Sequence, residues 1–417
     1  MSSKSGFYKR AMTPPQRHPA VRLALVGFGF VGRALGGVLA TRVKGAKVVA
    51  FDPANKIKLK GKVSIATSLK EAVQGASHVF ICVPSHLDGK GVEGAGWKRL
   101  AKELGYFTGP ETVIVIKSTL VPGNAAKLEK MTNRRVVVCP EFMAEGTAER
   151  DILKPHRVLV GGRDKHAVDS VIQLYRHWVP ANRIIRMDAW SSQLAKLLAN
   201  ALLAQRVASI NSAAALCELG GGDIRQVAKA IGLDPRIGSL YLKPSVGFGG
   251  SCLEKDVRLF CTLAKRMGLP DVARYWKSII EQNDAQILRA TRLIAKMAGK
   301  GGRVAVLGLA FKPGVGDLRS SAPLRIAQRL VALGHAVVAH DPKVKTAKGI
   351  RIASTPYAAA KNAVTIAVLN DEPLYRALDW KRVASLAASG AKAYACSAPI
   401  GQLAATQMET ITLGAKA

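Results

Sequence analysis

A glycine-rich run in the second half of the chain carries the residues whose types and spacing could do covalent chemistry. From Ser245 to Asp256 the sequence reads SVGFGGSCLEKD, which places Cys252 in the predicted first turn of a helix. Ser251 is expected at the N-cap, and Glu254, three residues later, would complete a capping box. Free backbone N–H groups and the helix dipole at such a position favour the thiolate form of a cysteine.

Two charged residues follow the cysteine. Lys255 adds positive charge, and Asp256 lies four residues after Cys252, on the same face of the predicted helix. A nucleophile, a cation and a carboxylate within five residues indicate nucleophilic catalysis. The alternative is a structural cysteine buried beside a glycine turn, which is the usual place of a lone cysteine. The flanking glycines and charges favour the catalytic interpretation.

The start of the chain predicts a dinucleotide site. An apolar strand from Val21 leads into the glycine turn Gly27–Gly32, then a helix, and then a strand that ends at Asp52. The glycines let a pyrophosphate approach the helix N-terminus, and Asp52 can accept hydrogen bonds from ribose hydroxyls, which favours NAD over NADP. Lys56 could assist with the ribose or phosphate, although a solvated lysine explains it equally well. The residues predicted to bind the cofactor here are Gly27, Phe28, Gly29, Phe30, Val31, Gly32, Asp52 and Lys56.

Three further strand runs end in small or polar residues. Val79–Val83 leads into the stretch up to His86, and Val113–Ile116 is followed, after Lys117, by Ser118-Thr119. Val136–Cys139 delivers the segment PEFMAEG, residues 140–146. Because open α/β sheets bind ligands at the carboxyl ends of their strands, we expect these segments to line one edge of the first sheet.

From about Ser191 the pattern changes to long helices. Gln193, Lys196, Asn200 and Asn211 recur at helical spacing within a Leu/Ala-rich surface. A lysine on such a surface is costly unless it meets a carboxylate, water or a ligand; the alternative is a solvated polar stripe. The helical region runs to about Ala298 and is interpreted as a central domain and dimer interface.

A second strand–turn–helix–strand unit follows, from Arg303–Gly308 to Ala336–Pro342. Both units end in Asp-Pro, at Asp52 and at Asp341, which indicates an internal repeat. The predicted fold class is therefore α/β, with two Rossmann-like doubly wound domains joined by a central all-helical dimerisation region. The predicted divisions are a basic tail at 1–20, an NAD-binding domain at 21–188, a helical domain at 189–299 and a second Rossmann-like domain at 300–417, whose cleft suits a nucleotide-linked substrate.

The net charge of +34 is unusual and raises nucleic-acid or membrane-surface binding as an alternative function. The basic residues are spread along the whole chain without a basic tract, so nucleic-acid binding is not expected. No apolar run approaches the ~18 residues that span a bilayer. The charge does not identify the activity.

Six cysteines without paired spacing predict reduced thiols and a cytoplasmic location. The leading residues 1–20 are basic and lack an apolar core stretch, so they are not expected to form a secretory signal. A disordered tail is preferred over an organelle transit peptide. No metal site is expected.

Several blocks occur in the order found in the UDP-glucose/GDP-mannose dehydrogenase family, which the chain resembles from residue 21 to about 320. PEFMAEGTA and SVGFGGSCLEKD are long and specific, and look most like the UDP-glucose branch. The other blocks are Gly27–Gly32, Lys117–Thr119, Lys196–Glu218 and Phe311–Arg319.

The resemblance implies a four-electron oxidation of a sugar-nucleotide primary alcohol to a carboxylate, with NAD as cofactor. Cys252 would be the nucleophile, Lys196 would stabilise the oxyanion, and Asp256 would orient water or the lysine and help as base. Glu141 would be the acid/base of thioester hydrolysis, while Thr119 and Asn200 would position water and substrate. Asp317 and Arg319 would bridge the two nucleotide domains; an ordinary charged turn is the alternative there.

The resemblance also implies contacts to the two ligands and a homodimer or higher homo-oligomer. Arg236 would reach the substrate of the neighbouring subunit. The further implied cofactor residues are Val83, Pro84, Ser118, Thr119, Glu145, Lys255 and Arg319. The implied substrate residues are Glu141, Phe142, Met143, Ala144, Glu145, Lys196, Asn200, Arg236, Lys243, Phe248, Gly249, Phe311 and Lys312.

After residue 340 the resemblance weakens. Family members carry a tryptophan-containing motif near Asn370–Pro373 and a Gly-Arg pair after the last strand, where this chain reads AYACS at 393–397. The sugar nucleotide that the domain at 300–417 would bind is predicted as UDP-glucose. Because the arginine is missing, a UDP-N-acetylhexosamine or GDP-mannose is the alternative substrate. A two-electron hydroxyacid-type dehydrogenase and a non-catalytic binding protein on the same fold remain open as well.

Overall fold

The computed structural model describes residues 21–54, 62–84, 94–396, 403 and 406–415. Lys56, His86 and the tail 1–20 lie outside the described residues. The chain forms two compact units, and the boundary lies between Ser192 and Gln193. The predicted three-domain division stays a prediction.

The first unit is a doubly wound α/β structure. Its strands are β1 (Arg22–Val26), β2 (Lys47–Phe51), β3 (Val63–Ile65), β4 (His78–Ile81), β5 (Val113–Ile116), β6 (Arg135–Val138), β7 (Val158–Gly162) and β8 (Ile184–Met187). Its helices are α1 (Phe30–Arg42), α2 (Leu69–Val73), α3 (Ala95–Phe107), α4 (Asn124–Thr132), α5 (Ala148–Leu153) and α6 (Lys165–Tyr175).

The sheet order is β3-β2-β1-β4-β5-β6-β7-β8. The pairs from β3 to β6 are parallel, and β7 runs antiparallel to β6. Apolar side chains alternate onto two cores: α1, α5 and α6 cover one face, and α2, α3 and α4 cover the other. Both faces are covered because the parallel strands are apolar on both sides.

The second unit contains a helical part and a second sheet. Its helices are α7 (Ala189–Gly220, which begins in the first unit), α8 (Ile224–Gly232), α9 (Leu253–Arg266), α10 (Pro270–Ala298), α11 (Ala322–Ala332), α12 (Pro356–Ala360), α13 (Pro373–Arg376) and α14 (Trp380–Leu386). Its strands are β9 (Arg303–Leu307), β10 (Ala336–His340), β11 (Arg351–Ile352), β12 (Thr365–Val368), β13 (Lys392–Ala395) and β14 (Thr410–Thr412), all parallel in the order β11-β10-β9-β12-β13-β14.

Helix α10 explains why the helical part and the second sheet form one unit. Its first half, with Trp276 and Ile280, packs with α7 and α9. Its second half, with Ile287 and Ile294, forms part of the layer over the second sheet. A single rigid helix of 29 residues therefore belongs to both cores.

The internal repeat and the fold class are confirmed. In both sheets the first six strands follow the same 3-2-1-4-5-6 arrangement. The N–H groups of Phe28 and Leu309, which follow the first glycine of each turn, donate to Asp52 Oδ2 at 2.7 Å and Asp341 Oδ2 at 2.9 Å, respectively. Among the described residues, no helix is long and apolar enough to cross a membrane.

Gly308 directly follows β9, and the structure leaves no room for a side chain there. Its φ is +92°, and a Cβ would lie 2.3 Å from Asn370 Oδ1. We expect Gly308→Ala to lower the free energy of unfolding by about 3 kcal/mol or more, since it combines left-handed strain with overpacking. Gly334→Ala, at φ +86° but with open space at the Cβ, is the control and should cost about 1 kcal/mol. Urea unfolding measures both; equal losses would contradict the role of crowding.

Candidate active site

The cysteine lies at the beginning of α9, whose N-cap is one residue later in the chain than expected. Cys252 itself occupies the N-cap, without a side-chain cap bond, so the predicted Ser251–Glu254 capping box is wrong. Glu254 instead forms an ion pair with Arg258, one turn further on. Cys252 is exposed, and its sulfur lies 3.4 Å from Ser251 Oγ. The thiol is therefore accessible at the start of a helix, as the catalytic interpretation requires.

A buried carboxylate follows the cysteine by one helical turn. Asp256 is 0% exposed, and its backbone N–H donates to the Cys252 carbonyl at 2.9 Å. Lys255 Nζ donates to Asp256 Oδ1 at 2.5 Å, and Asn200 Nδ2 donates to Oδ2 at 2.6 Å. One cation and one amide thus stabilise a carboxylate that would otherwise be costly to bury. The expected cation and carboxylate thus form an ion pair within about one helical turn of Cys252.

Lys196 lies one turn before Asn200 on α7, so both side chains belong to the same face of that helix. Lys196 is only 4% exposed, as is expected of a lysine that interacts within a site. Asn200 connects this face of α7 to the start of α9 through Asp256. The predicted polar stripe therefore meets the cysteine helix and is not a solvated surface.

Three buried amides hold the loop that precedes the cysteine. Asn211 Oδ1 accepts from Ser245 N–H at 2.8 Å, and Gln286 Nε2 donates to the Ser245 carbonyl at 2.8 Å. Asn283 bonds Phe248 in both directions, at 2.8 Å to its N–H and 3.1 Å to its carbonyl. Phe248 is 6% exposed, so no water can replace these bonds easily.

The glycines of this loop are required by the segment that follows β9. A Cβ on Gly249 would lie 2.5 Å from the Ser320 carbonyl oxygen, and one on Gly250 would lie 2.8 Å from the Phe311 ring. Gly250 N–H also donates to the Arg319 carbonyl at 3.0 Å. Phe248, Gly249 and Phe311, three predicted substrate residues, are therefore close neighbours in one structure.

The charged residues predicted to bind ligand in the second unit have carboxylate partners. Lys243 Nζ forms an ion pair with Asp371. Arg236, mostly exposed, pairs with Asp234. Arg319 pairs with Asp317, with an Nη2–Oδ2 distance of 2.7 Å, which agrees with the charged-turn alternative. The predicted Lys312 is half-buried in the same segment.

The first unit offers a turn that fits a dinucleotide. A Cβ on Gly32 would lie 2.1 Å from the Gly27 carbonyl oxygen, so helix and turn approach too closely for any side chain. Gly29 caps α1 without a side-chain bond, and the space beside its Cβ position is open. A phosphate can therefore reach the helix N-terminus. Asp52 lies half-buried at the end of β2, next to this turn.

The expected strand-end residues also lie at the carboxyl edge of the first sheet. Val83, Pro84 and Ser118 follow β4 and β5, and Ser118 Oγ donates to the Val83 carbonyl at 2.5 Å. Thr119 follows directly and is half-buried. Burial, with the nearby Glu141 carboxylate adding to it, raises the pKa of Cys82 to about 12, so this thiol is not a nucleophile.

The segment after β6 is held by its own side chains. Glu141 Oε2 accepts from Met143 N–H at 2.7 Å, and the Phe142 ring lies 3.8 Å below the Arg157 guanidinium. Ala144 N–H donates to Asp151 Oδ2 at 3.0 Å. Glu145 is half-buried in the same segment.

Lys117, just after β5, is a buried lysine at the carboxyl edge of the first sheet. It is 3% exposed, and its Nζ lies 3.0 Å from Tyr175 Oη and 3.4 Å from the Pro140 carbonyl oxygen. Lys117 therefore connects helix α6 to the start of the segment that contains Glu141.

Comparison with known proteins agrees with this geometry. Residues 54–179 match the NAD binding domain, residues 190–285 the central domain and residues 305–395 the UDP binding domain of the UDP-glucose/GDP-mannose dehydrogenase family. The chain belongs to this family. The UDP-glucose 6-dehydrogenase of Bos taurus is 36% identical over 76% of this chain and 72% of its own length. UDP-glucose 6-dehydrogenase 1 of Arabidopsis thaliana is 33% identical over 87% of this chain and 90% of its own.

Solved structures show the same fold. A UDP-glucose dehydrogenase from Pyrobaculum islandicum superposes with a TM-score of 0.82 and 24% identity, over 98% of this chain and 100% of that one. A UDP-D-ManNAc dehydrogenase from Pyrococcus horikoshii gives 0.78 and 22%, over 94% and 99%. The predicted family, enzyme class and NAD cofactor are confirmed, while the individual site residues stay predictions.

Two residues that position the cysteine loop are not among the predicted site residues. Asn283 and Gln286 interrupt an otherwise apolar stripe of α10, next to the buried Ile280 and Ile287. This interruption could have indicated a buried hydrogen bond, because a polar side chain within a buried stripe needs a partner. The partner itself lies 35 or more positions away and cannot be read from spacing.

We expect Asn283→Leu to lower the free energy of unfolding by about 2–4 kcal/mol, because it leaves two buried backbone groups of Phe248 without partners. Gln328→Leu is a matched control, since it removes an exposed amide–carbonyl bond to Lys348 and should cost less than about 1 kcal/mol. Chemical denaturation compares the two. A control that loses as much as Asn283→Leu would refute the importance of burial.

Proposed function

We propose that the protein oxidises UDP-glucose to UDP-glucuronate in two NAD-dependent steps through a covalent adduct on Cys252. The observation that carries this proposal is the exposed thiol at the start of α9, one turn from a buried Asp256 held by Asn200 and Lys255. The names of the curated relatives support UDP-glucose as substrate.

The chemistry explains why a cysteine and a dinucleotide domain occur together. Bound NAD⁺ accepts one hydride in each of the two oxidations. The first oxidation turns the primary alcohol into an aldehyde, and the Cys252 thiolate then adds to the aldehyde carbon as a thiohemiacetal. Loss of the second hydride leaves a thioester, and water cleaves it to release the carboxylate and the thiol.

We assign roles to the surrounding residues from the chemistry of their side chains. Lys196 stabilises the oxyanion of each step, and Asp256 orients water or the lysine and assists as base. Glu141 is the acid/base for thioester hydrolysis. Thr119 and Asn200 position water and substrate. Every one of these roles is part of the proposal.

The decisive experiment measures NADH release from UDP-glucose, UDP-N-acetylhexosamines and GDP-mannose. We expect UDP-glucose to give two NADH per product, because the reaction removes four electrons. Cys252→Ser should stop turnover at or before the aldehyde, as serine forms no thioester. Cys261→Ser, two turns along the same helix, is the matched control and should retain full turnover.

Carboxylate formation at the normal rate by Cys252→Ser would overturn the covalent mechanism. One NADH per product would favour a two-electron dehydrogenase instead. No NADH from any of the sugars, together with salt-sensitive nucleic-acid binding, would favour a binding protein.

We further propose a homodimer formed through the helical part of the second unit, with Arg236 reaching the partner's substrate. Four leucines support it, since large exposed apolar side chains mark interfaces. They are more than seven-tenths exposed: Leu216, Leu219, Leu233 and Leu240.

Sedimentation tests the dimer. Leu219→Asp combined with Leu240→Asp should produce monomers, because a charge in an apolar interface is costly to desolvate. Leu333→Asp, which changes the 60% exposed leucine at the C-cap of α11, is the control and should leave the parent assembly unchanged. A parent that sediments as a monomer would contradict the proposal.

We propose the cytoplasm as the location, which is supported by the absence of paired spacing among the six cysteines of the sequence.

A further inference from the structure

A cluster of three charged side chains lies at the switch point of the second sheet. The chain passes from β9 to β10 and β11 on one side and returns to β12 on the other, so the strand order reverses between β9 and β12. Crevices at the carboxyl ends of such strands are where open α/β sheets bind ligands. Asp371 lies three residues after the end of β12, and Arg376 ends α13.

Two cations converge on one oxygen of this cluster. Lys243 Nζ and Arg376 Nη2 both contact Asp371 Oδ2, and Arg376 Nε lies 3.1 Å from Oδ1. Burial acts to raise the pKa of Asp371, but the hydrogen bonds from Arg376 and Lys243 outweigh it and hold the pKa below its usual value. The carboxylate is therefore ionised, and the cluster keeps a net positive charge.

The cations are accessible and the carboxylate is less so. The side chains of Lys243 and Arg376 are 56% and 55% exposed, and that of Asp371 is 21% exposed. An incoming anion can reach both cations from the solvent. A diphosphate carries more charge than one carboxylate and offers the several oxygens that a guanidinium and an ammonium can share.

The backbone around Asp371 is fixed to the turn after β9. Asn370 Nδ2 donates to the Ala310 carbonyl at 3.3 Å, and Glu372 Oε2 accepts from Gly314 N–H at 2.8 Å. Gly308 presses so closely on Asn370 that only a glycine fits there. Asp371 therefore holds both cations at a rigid position beside the crevice.

We propose that Lys243 and Arg376 form a cation pair that binds the diphosphate of the substrate, with Asp371 as the internal counter-ion that the diphosphate displaces. This inference rests on the proposed function for the identity of the ligand, a nucleoside diphosphate. It adds Arg376 and Asp371 to the substrate site as binding and positioning residues.

Calorimetric titration of the full-length protein with UDP tests the pair without turnover. Arg376→Gln should weaken UDP binding about tenfold, the effect of one charge-assisted hydrogen bond. Asp371→Asn should bind UDP at least as tightly as the parent, because the counter-ion no longer competes. Arg382→Gln removes another exposed arginine of the second unit, one stacked on Tyr357, and should match the parent.

The kinetic counterpart is a selective change in KM. Arg376→Gln should raise the KM for the nucleotide sugar about tenfold, leave the KM for NAD⁺ unchanged and keep kcat within about twofold. A variant that had lost its fold would change all three, and a melting curve identifies that case.

UDP affinity of Arg376→Gln within twofold of the parent would overturn the cation pair. Weaker UDP binding by Asp371→Asn would overturn the counter-ion exchange and show a structural role for the carboxylate. Absence of NADH with every sugar nucleotide would refute the proposed function alone, since UDP binding is measured independently of turnover.

Discussion

The position of Cys252 depends on hydrogen bonds to the backbone of the buried loop that precedes it. Residues 245–250 form no helix or strand, so their buried N–H and carbonyl groups must find partners elsewhere. Side-chain amides from α7 and α10 supply them, and the segment after β9 closes over the glycines. Since α10 belongs also to the core of the second sheet, the position of the cysteine is coupled to the packing of that sheet.

Much of the architecture could be predicted because it follows from local patterns. The sequence shows two apolar runs that each lead into a glycine turn and end in Asp-Pro. This pattern predicts equivalent positions for Asp52 and Asp341, which the two similar sheets confirm. The predicted N-cap of the cysteine helix was wrong by one residue. The Ser251–Glu254 pattern predicts a box, but Glu254 is within one turn of Arg258, and that charged partner is the stronger attraction.

Contacts that join distant segments could not be predicted. Lys243 and Asp371 are 128 positions apart, and nothing in either segment indicates the other. Asn200 and Asp256 are likewise brought together only by the packing of α7 against α9. The chemical character of these residues could be read from the sequence, but their contact partners follow only from the three-dimensional fold.

The excess of basic residues makes carboxylates scarce, at 28 against 62. Asp223, Asp234 and Asp317 each pair with an exposed arginine two positions later. Because these arginines remain in the solvent, such pairs contribute little to stability. Asp256 and Asp371 differ from these pairs, because each also binds a side chain from a distant part of the chain, Asn200 and Lys243, respectively.

Asp341 sets the two halves of the repeat apart. Although it is the counterpart of Asp52, it is 5% exposed and accepts from the backbone N–H groups of Leu309, Ala310 and Lys343. Three main-chain hydrogen bonds and burial leave this carboxylate little capacity to accept from a sugar hydroxyl. The second sheet therefore repeats the topology of the first without repeating its ribose acceptor, and the two crevices differ in the hydrogen-bond acceptors that they offer.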